Sequence, residues 1–253
     1  MNKKITILVY THNEEKNIVD CLKSALTLSS EIIVIDMESS DQTTTLALKL
    51  GAKVIKFPFS HYVEPARKFG IDQAKTEWVL ILDADERITQ DLAQEIKKSL
   101  NSKEFTYYKI PRKNIFETTW LKHGGWWPDY QTRLIDKKFL KNWPKQIHST
   151  PTIKGRVAFL QNPLDHYFHG NIEKMVEKTL VFENVEADLL LTANKKVSAV
   201  IFFRKFLGEL FRRLIRHLGF LDGSIGIIES IYQAFSKTIT YLFLYEKQKD
   251  RPL

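Results

Sequence analysis

Cysteine and long apolar runs are both scarce in this chain, and each shortage closes off a class of protein. A single cysteine, Cys21, among 253 residues excludes an internal disulfide and a cysteine-ligated metal cluster. It fits a reducing compartment and reads as a small buried helix residue. No apolar run approaches the roughly 18–20 residues that span a bilayer. Only a six-residue stretch, Ile5–Tyr10, precedes the polar Thr11-His-Asn-Glu-Glu15, which predicts the absence of a secretory leader. Internal repeats and low-complexity tracts are missing as well. At 43% hydrophobic and 27% charged residues, the composition is that of a globular chain, one large domain or a domain with an appendage.

Charge is present in excess but unevenly. The formal net charge is +8, and between Lys195 and His217 seven Lys and Arg face one acid, Glu209. The rest of the chain is nearly balanced, so the excess is a local basic device.

The first hundred residues alternate between two periods. Apolar runs at Ile5–Tyr10, Ile32–Ile35, Lys53–Phe57 and Trp78–Leu82 predict strands. Helix-spaced stretches at Glu14–Leu28, Thr43–Leu50, Glu64–Ala74 and Asp91–Leu100 predict helices. Strands alternating with helices over short turns imply βαβ units and a parallel sheet, and burial on both faces explains the continuously apolar runs. From 104 to 170 the texture changes: four of five tryptophans lie there, with strands predicted near 105–111, 131–136 and 156–160 between long loops. Residues 172–190 and 197–246 read as helical.

Four polar blocks lie at or just beyond the carboxyl ends of the predicted strands, or on the helix behind them. They are Tyr10-Thr-His-Asn-Glu-Glu15, Asp36-Met-Glu-Ser-Ser-Asp41-Gln-Thr43, Pro65-Ala-Arg-Lys-Phe-Gly70 and Asp83-Ala-Asp85. A parallel sheet carries such positions to one rim, where ligands of open α/β sheets collect. Two carboxylates one residue apart at a strand end suit a hard divalent cation, and also suit a solvated turn or helix cap.

Together these blocks resemble the family 2 glycosyltransferases of the GT-A fold, over about residues 4–90. The later Gly124-Gly-Trp-Trp-Pro-Asp-Tyr-Gln-Thr-Arg-Leu134 and Gly219-Phe-Leu-Asp-Gly223 resemble a narrower branch, which includes lipopolysaccharide-core β-1,4-glucosyltransferases. The resemblance implies an α/β fold: a GT-A, Rossmann-like sheet with helices on both faces and a helical C-terminal extension. It divides the chain into a nucleotide-sugar-binding half (1–100), an acceptor-side half (101–170) and the extension (171–253). It implies an inverting, metal-dependent transfer from a nucleotide-sugar, UDP-linked, to a lipid-linked or cell-envelope glycan.

Site roles follow from the same resemblance. Thr11, Asn13 and Glu14 would line the nucleoside pocket, with helix capping as the other reading. Asp36 would accept from the base, while Asp41 reads as a helix cap. Arg67 would donate to base or diphosphate. Asp83 would touch ribose and metal, and Asp85 would ligate Mn²⁺ or Mg²⁺. Asp129 would be the general base or an acceptor-positioning acid beside Trp126 and Trp127, with Gln131 and Arg133 supporting the loop or the diphosphate. Where that branch carries His-Glu, this chain has His148-Ser149. Serine cannot replace a glutamate as base, which leaves Asp129, another acid such as Glu117 or Asp165, or an impaired enzyme. His148 would be a metal or phosphate contact or a structural residue; His166 and His169 are further candidates.

At 100° per residue, Val200, Phe203, Leu207, Leu210, Phe211, Leu214 and Leu218 share one stripe, with Lys205, Arg212, Arg213 and Arg216 opposite. The other reading is a stripe packed on the domain; this one predicts that 197–218 lies on an anionic membrane surface, peripheral to the cytoplasmic face. A nucleic-acid partner is disfavoured because no binding-fold signature accompanies the basic residues. Two alternatives to transfer remain: a nucleotidyltransferase, against which the glycine-free Tyr10–Glu15 speaks, and a membrane-associated nucleotide binder that has lost turnover.

Overall fold

In the computed structural model, which describes residues 4–168 and 172–249, the chain falls into two compact units. The first runs through Lys113 and resumes at Asp129–His166; the second comprises Asn114–Pro128 and the chain from Tyr167 onward. His169 lies outside the described residues.

The elements of the first half are β1 (Ile5–Thr11), α1 (Ile18–Leu26), β2 (Ile32–Asp36), α2 (Thr43–Lys49), β3 (Lys53–Lys56), α3 (Glu64–Gln73), β4 (Trp78–Asp83), β5 (Glu86–Ile88) and α4 (Gln90–Ser99). Then come β6 (Tyr107–Phe116), β7 (Thr119–Trp120), β8 (Asp129–Asp136), β9 (Leu140–Asn142), β10 (Thr152–Ile153), β11 (Val157–Phe159) and β12 (Leu164–Tyr167). Three helices close the chain: α5 (Ile172–Thr192), α6 (Ala199–Leu210) and α7 (Gly223–Lys249).

Strand order is β3-β2-β1-β4-β8-β6-β12-β5, with β7 and β11 also on β6 and a separate β9–β10 pair. The expected parallel sheet holds from β3 to β4. Beyond it, β8 runs antiparallel to both β4 and β6. Alternation along β1 explains the unbroken apolar run. Ile5, Ile7 and Val9 join one core with Leu22, Leu80 and Ile96, while Leu8 and Tyr10 join another with Ile35, Ile71 and Ile81. Each fully buried aliphatic side chain contributes about 1.5–3 kcal/mol relative to exposure.

Two helix expectations needed correction. The first helix begins at Ile18, not Glu14, because residues 13–15 form a turn whose amides are bound elsewhere. Asn13 has φ +52°, and the Glu14 and Glu15 N–H groups donate to Thr43 and Asp41. From α1, Ile18, Cys21, Leu22 and Ala25 face the core, so Cys21 is the buried helix residue expected.

The predicted helix over 197–246 is broken as well. A π-helical turn spans Phe211–Arg216, Leu218 is left-handed (φ +56°), and a 3₁₀ turn covers Gly219–Asp222 before α7. Among the described residues, no helix is long and apolar enough to cross a membrane.

Candidate active site

The first two polar blocks lock into one rim at the ends of β1 and β2. The Asn13 amide donates to Ser39 Oγ (2.9 Å), and the Ser40 amide returns a bond to Asn13 Oδ1 (2.8 Å). Asp41 Oδ1 accepts from the Thr43 amide (2.9 Å) and hydroxyl (2.5 Å), and its Oδ2 accepts from the Glu15 amide (3.1 Å). Burial opposes ionisation of Asp41, but these donors outweigh it and hold the carboxyl below its ordinary value. Asp41 thus acts as a cap. Asp36 is buried at the end of β2, and its carboxylate accepts the Ser39 amide at 3.2 Å. Thr11 ends β1 fully buried, with a hydroxyl that has no hydrogen-bond partner among the described residues.

Arg67, on α3, is held between two aromatic rings. Its guanidinium carbon lies 4.6 Å from the Tyr10 ring centre and 5.8 Å from that of Trp143, and the Tyr10 hydroxyl donates to the Arg67 carbonyl (2.8 Å). Gly70, one turn on, admits this approach. A Cβ there would press into the Tyr10 hydroxyl and come within 2.9 Å of Ile35. Arg67 Nη2 donates to Asp83 Oδ1 at 2.7 Å, while Nη1 is buried with no partner among the described residues.

From Asp83 a row of alternating charges crosses the sheet. Arg133 Nη2, on β8, donates to Asp83 Oδ2 (2.6 Å) and to Glu86 Oε1 (2.5 Å). Glu86 is fully buried, and its other oxygen accepts the Asp83 amide (3.0 Å). Arg112 Nη1, on β6, lies 3.7 Å from Glu86, and its Nη2 is 2.6 Å from Asp129 Oδ2. Gln131 Nε2 donates to Asp129 Oδ1 (2.7 Å). Burial would raise the Asp83 pKa, but Arg133 and Arg67 drive it far below the carboxylate range; Arg133 is shifted up in turn by Asp83 and Glu86.

Asp85 Oδ2 lies 3.6 Å from His166 Nε2 on β12. No cluster of three or more His, Cys, Asp or Glu that could hold a metal occurs among the described residues. Asp85 with His166 supplies a carboxylate and an imidazole, a pair that fits a cation completing its shell with diphosphate oxygens and water. His148 is elsewhere, between β9 and β10, its amide donating to Glu64 Oε1 (2.8 Å) at the start of α3. Ser149 donates its hydroxyl to the Pro144 carbonyl (2.6 Å). Of the other acids weighed as base, Glu117 sits in the β6–β7 turn with φ +54°, and Asp165 lies 3.4 Å from Lys113 Nζ.

In the second unit, the two blocks that resemble the narrower branch meet. The His123 amide and ring Nδ1 reach the Asp222 carboxylate (2.7 and 2.6 Å), the Gly124 amide donates to the His217 carbonyl (2.8 Å), and Arg213 donates to the Gly124 carbonyl (3.0 Å). Trp126 packs on Phe168 (4.8 Å between ring centres) under the Arg213 guanidinium (5.2 Å), and Trp127 stands edge-on to Trp120 (5.3 Å) before a cis bond to Pro128.

Sequence reasoning missed Glu86, Arg112 and the place of His166 beside Asp85. The cue for the first two was available: Glu86 directly follows the acidic pair, and Arg112 directly follows the strand predicted near 105–111.

A parallel β3-β2-β1-β4 rim with buried acids at its carboxyl edge, continued by antiparallel strands, defines a GT-A glycosyltransferase. The chain belongs to the family described as glycosyl transferase family 2, whose profile matches residues 6–162, and it is therefore a transferase enzyme. It is similar to an uncharacterized glycosyltransferase of Rickettsia conorii, 28% identical over 260 residues that cover 97% of this chain and 91% of that one. A Rickettsia typhi counterpart is 28% identical, covering 96% and 87%. Among solved structures, S. aureus TarS 1–349 matches with a TM-score of 0.52 at 16% identity, covering 98% of this chain and 92% of that one. Mannosyl-3-phosphoglycerate synthase from Rubrobacter xylanophilus matches with a TM-score of 0.53 at 16% identity, covering 78% and 77%. These likenesses concern the fold.

Proposed function

We propose that the protein transfers a sugar with inversion from a UDP-sugar to a lipid-linked or cell-envelope glycan, using a divalent cation. The observation that carries this reading is the partly satisfied rim. The Thr11 hydroxyl and Arg67 Nη1 are buried without partners at the carboxyl edge of the sheet, beside an Asp83 already neutralised by two arginines. Unspent donors beside acids already matched by arginines are suited to anionic oxygen, and a diphosphate supplies it. UDP is favoured as the nucleotide because S. aureus TarS, of the same fold, has a structure in complex with UDP.

In this reading 1–100 holds the donor, 101–170 the acceptor side, and 171–253 is an extension. Thr11, Asn13, Glu14 and Asp36 line the nucleoside pocket, with Asp36 accepting from the base. Asp85 and His166 hold Mn²⁺ or Mg²⁺, and His148, apart from them, is left as a phosphate contact. When bound, that cation neutralises charge on the leaving diphosphate. Asp83, pinned by Arg67 and Arg133, orients ribose. Asp129 takes the proton of the attacking hydroxyl, its two oxygens aimed by Arg112 and Gln131. Trp127 supplies an apolar face for a sugar ring, while Trp126, already packed against Phe168 and Arg213, supports that loop.

A panel of UDP-, GDP- and dTDP-sugars with Mn²⁺, followed by nucleotide release, tests the reading. Release from one UDP-sugar is expected, with Asp85→Ala lowering it about a hundredfold or more. Tight nucleotide binding without release from any donor, over a set of lipid acceptors, would instead favour the binder without turnover. Ser149, standing where the narrower branch has glutamate, is the feature that speaks for that second reading.

A further inference from the structure

The apolar stripe of α6 and the turn after it faces outward. Val200, Phe203, Leu207 and Phe211 are 74, 70, 56 and 61% exposed, and Ile215 and Leu218 continue the strip. Much of what packs inward is the basic side. Ile201 and Phe202 join a core with Tyr241 and Leu244, the Lys205 ammonium lies 5.3 Å from the Tyr241 ring centre, and Arg213 is spent on Gly124 and Trp126. Along α7, Ile228, Ile231 and Phe235 are exposed as well. Among the described residues, fourteen of the 22 exposed large hydrophobic residues fall between 200 and 245, far more than scattered surface residues would give.

The charges on this segment are sorted with equal consistency. Its only acids from 199 to 245 are Glu209, Asp222 and Glu229. Glu209 is bridged by Arg212 (2.5 Å) and Arg213 (2.7 Å), Asp222 is buried against His123, and Glu229 is buried. Arg204, Arg212 and Arg216 remain exposed beside the apolar strip. Among residues 199–245, then, the exposed charged side chains are cationic.

We infer that this face of α6 and α7 docks on the headgroup layer of an anionic lipid bilayer, apolar side chains entering the interface and the arginines meeting lipid phosphates. A second copy of the chain fits less well. Two such faces would bring their arginines together with no exposed acid from 199 to 245 to answer them. The inference stands independently of the sugar-transfer reading, since neither donor nor acceptor enters it.

Flotation of the full chain tests it, using phosphatidylcholine vesicles with and without roughly one third phosphatidylglycerol. The protein is expected to float with the anionic vesicles alone and to lose binding as salt rises. Phe203→Ser, Leu207→Gln and Phe211→Ser combined should lower binding at least about tenfold, as should Arg204→Glu with Arg216→Glu. Leu207→Gln alone, with unchanged circular dichroism and melting, guards against misfolding of the triple variant. No flotation, equal flotation with neutral vesicles, or flotation untouched by both sets overturns the proposal. A dimer in sedimentation that the apolar substitutions dissolve, without vesicle binding, assigns the face to a second copy and also overturns it. Loss of nucleotide release by Asp85→Ala with flotation intact separates this result from the catalytic one.

Discussion

The donor rim and the C-terminal helices solve opposite problems with similar residues. At the rim, charged groups are drawn into the protein and matched: Asp83, Glu86, Arg67 and Arg133 are buried or nearly so, each within ion-pair distance of an opposite charge. On α6 and α7 the acids from 199 to 245 are drawn in too, but a stripe of large apolar side chains is left outside. A buried charge matched by its neighbours belongs to a finished interior. An exposed apolar stripe belongs to an interface whose other half is a separate phase or molecule.

The sharpest break in this comparison is Asp83→Ala. It leaves Arg67 and Arg133 buried without their shared carboxylate, so urea unfolding should show a loss of about 3–5 kcal/mol. Survival of full stability would mean that the row is solvated rather than matched.

Glu229 tests the same logic inside the helices. Burial lifts its carboxyl from 4.5 to about 7, with a Gln233 hydrogen bond and Arg213 offsetting part of the rise. Below pH 4.5 folded and unfolded chains both hold the proton, and the group contributes nothing; between 4.5 and about 7 the unfolded chain loses it first, so stability falls as pH rises. Glu229→Gln should therefore stabilise the protein by on the order of 2 kcal/mol at slightly alkaline pH and leave it unchanged in acid, read from melting across pH.

Gly70→Ala should cost about 1–3 kcal/mol by driving a methyl into Tyr10 and Ile35, and should weaken nucleotide binding through Arg67. Smallest of all is the effect of Leu207→Gln on folding, within about 0.5 kcal/mol by the same denaturation, because that side chain already faces water. A large loss there would show that the stripe is packed after all.

How much of this was legible in the sequence depends on range. The strands β1 to β4 were readable because a strand buried on both faces must be apolar throughout, and the four polar blocks fell at their ends. Glu14 and Glu15 misled because their composition is helical while their amides are bound by side chains 29 and 26 residues away. The charge row was hidden for a stronger reason. Arg112 and Asp129 face each other only because β6 and β8 pair in that antiparallel register, and Arg133 reaches Asp83 only because β8 joins β4. No local pattern encodes either pairing. A helical wheel likewise shows which residues of α6 share a stripe but not which way the stripe points.

The alternating row from Arg67 to Asp129 has a consequence for how such a sequence can drift. Its members carry three positive and three negative charges in turn, so no single replacement is conservative: each strands a neighbour of opposite sign. For stability alone, exchanging one whole pair (Arg67 with Asp83, Arg133 with Glu86, or Arg112 with Asp129) for well-packed apolar residues leaves no orphan and costs far less. Positions 67, 83, 86, 112, 129 and 133 should therefore change in pairs across descendants of this chain. Residues scattered over six positions of the sequence would then be inherited as though they were one.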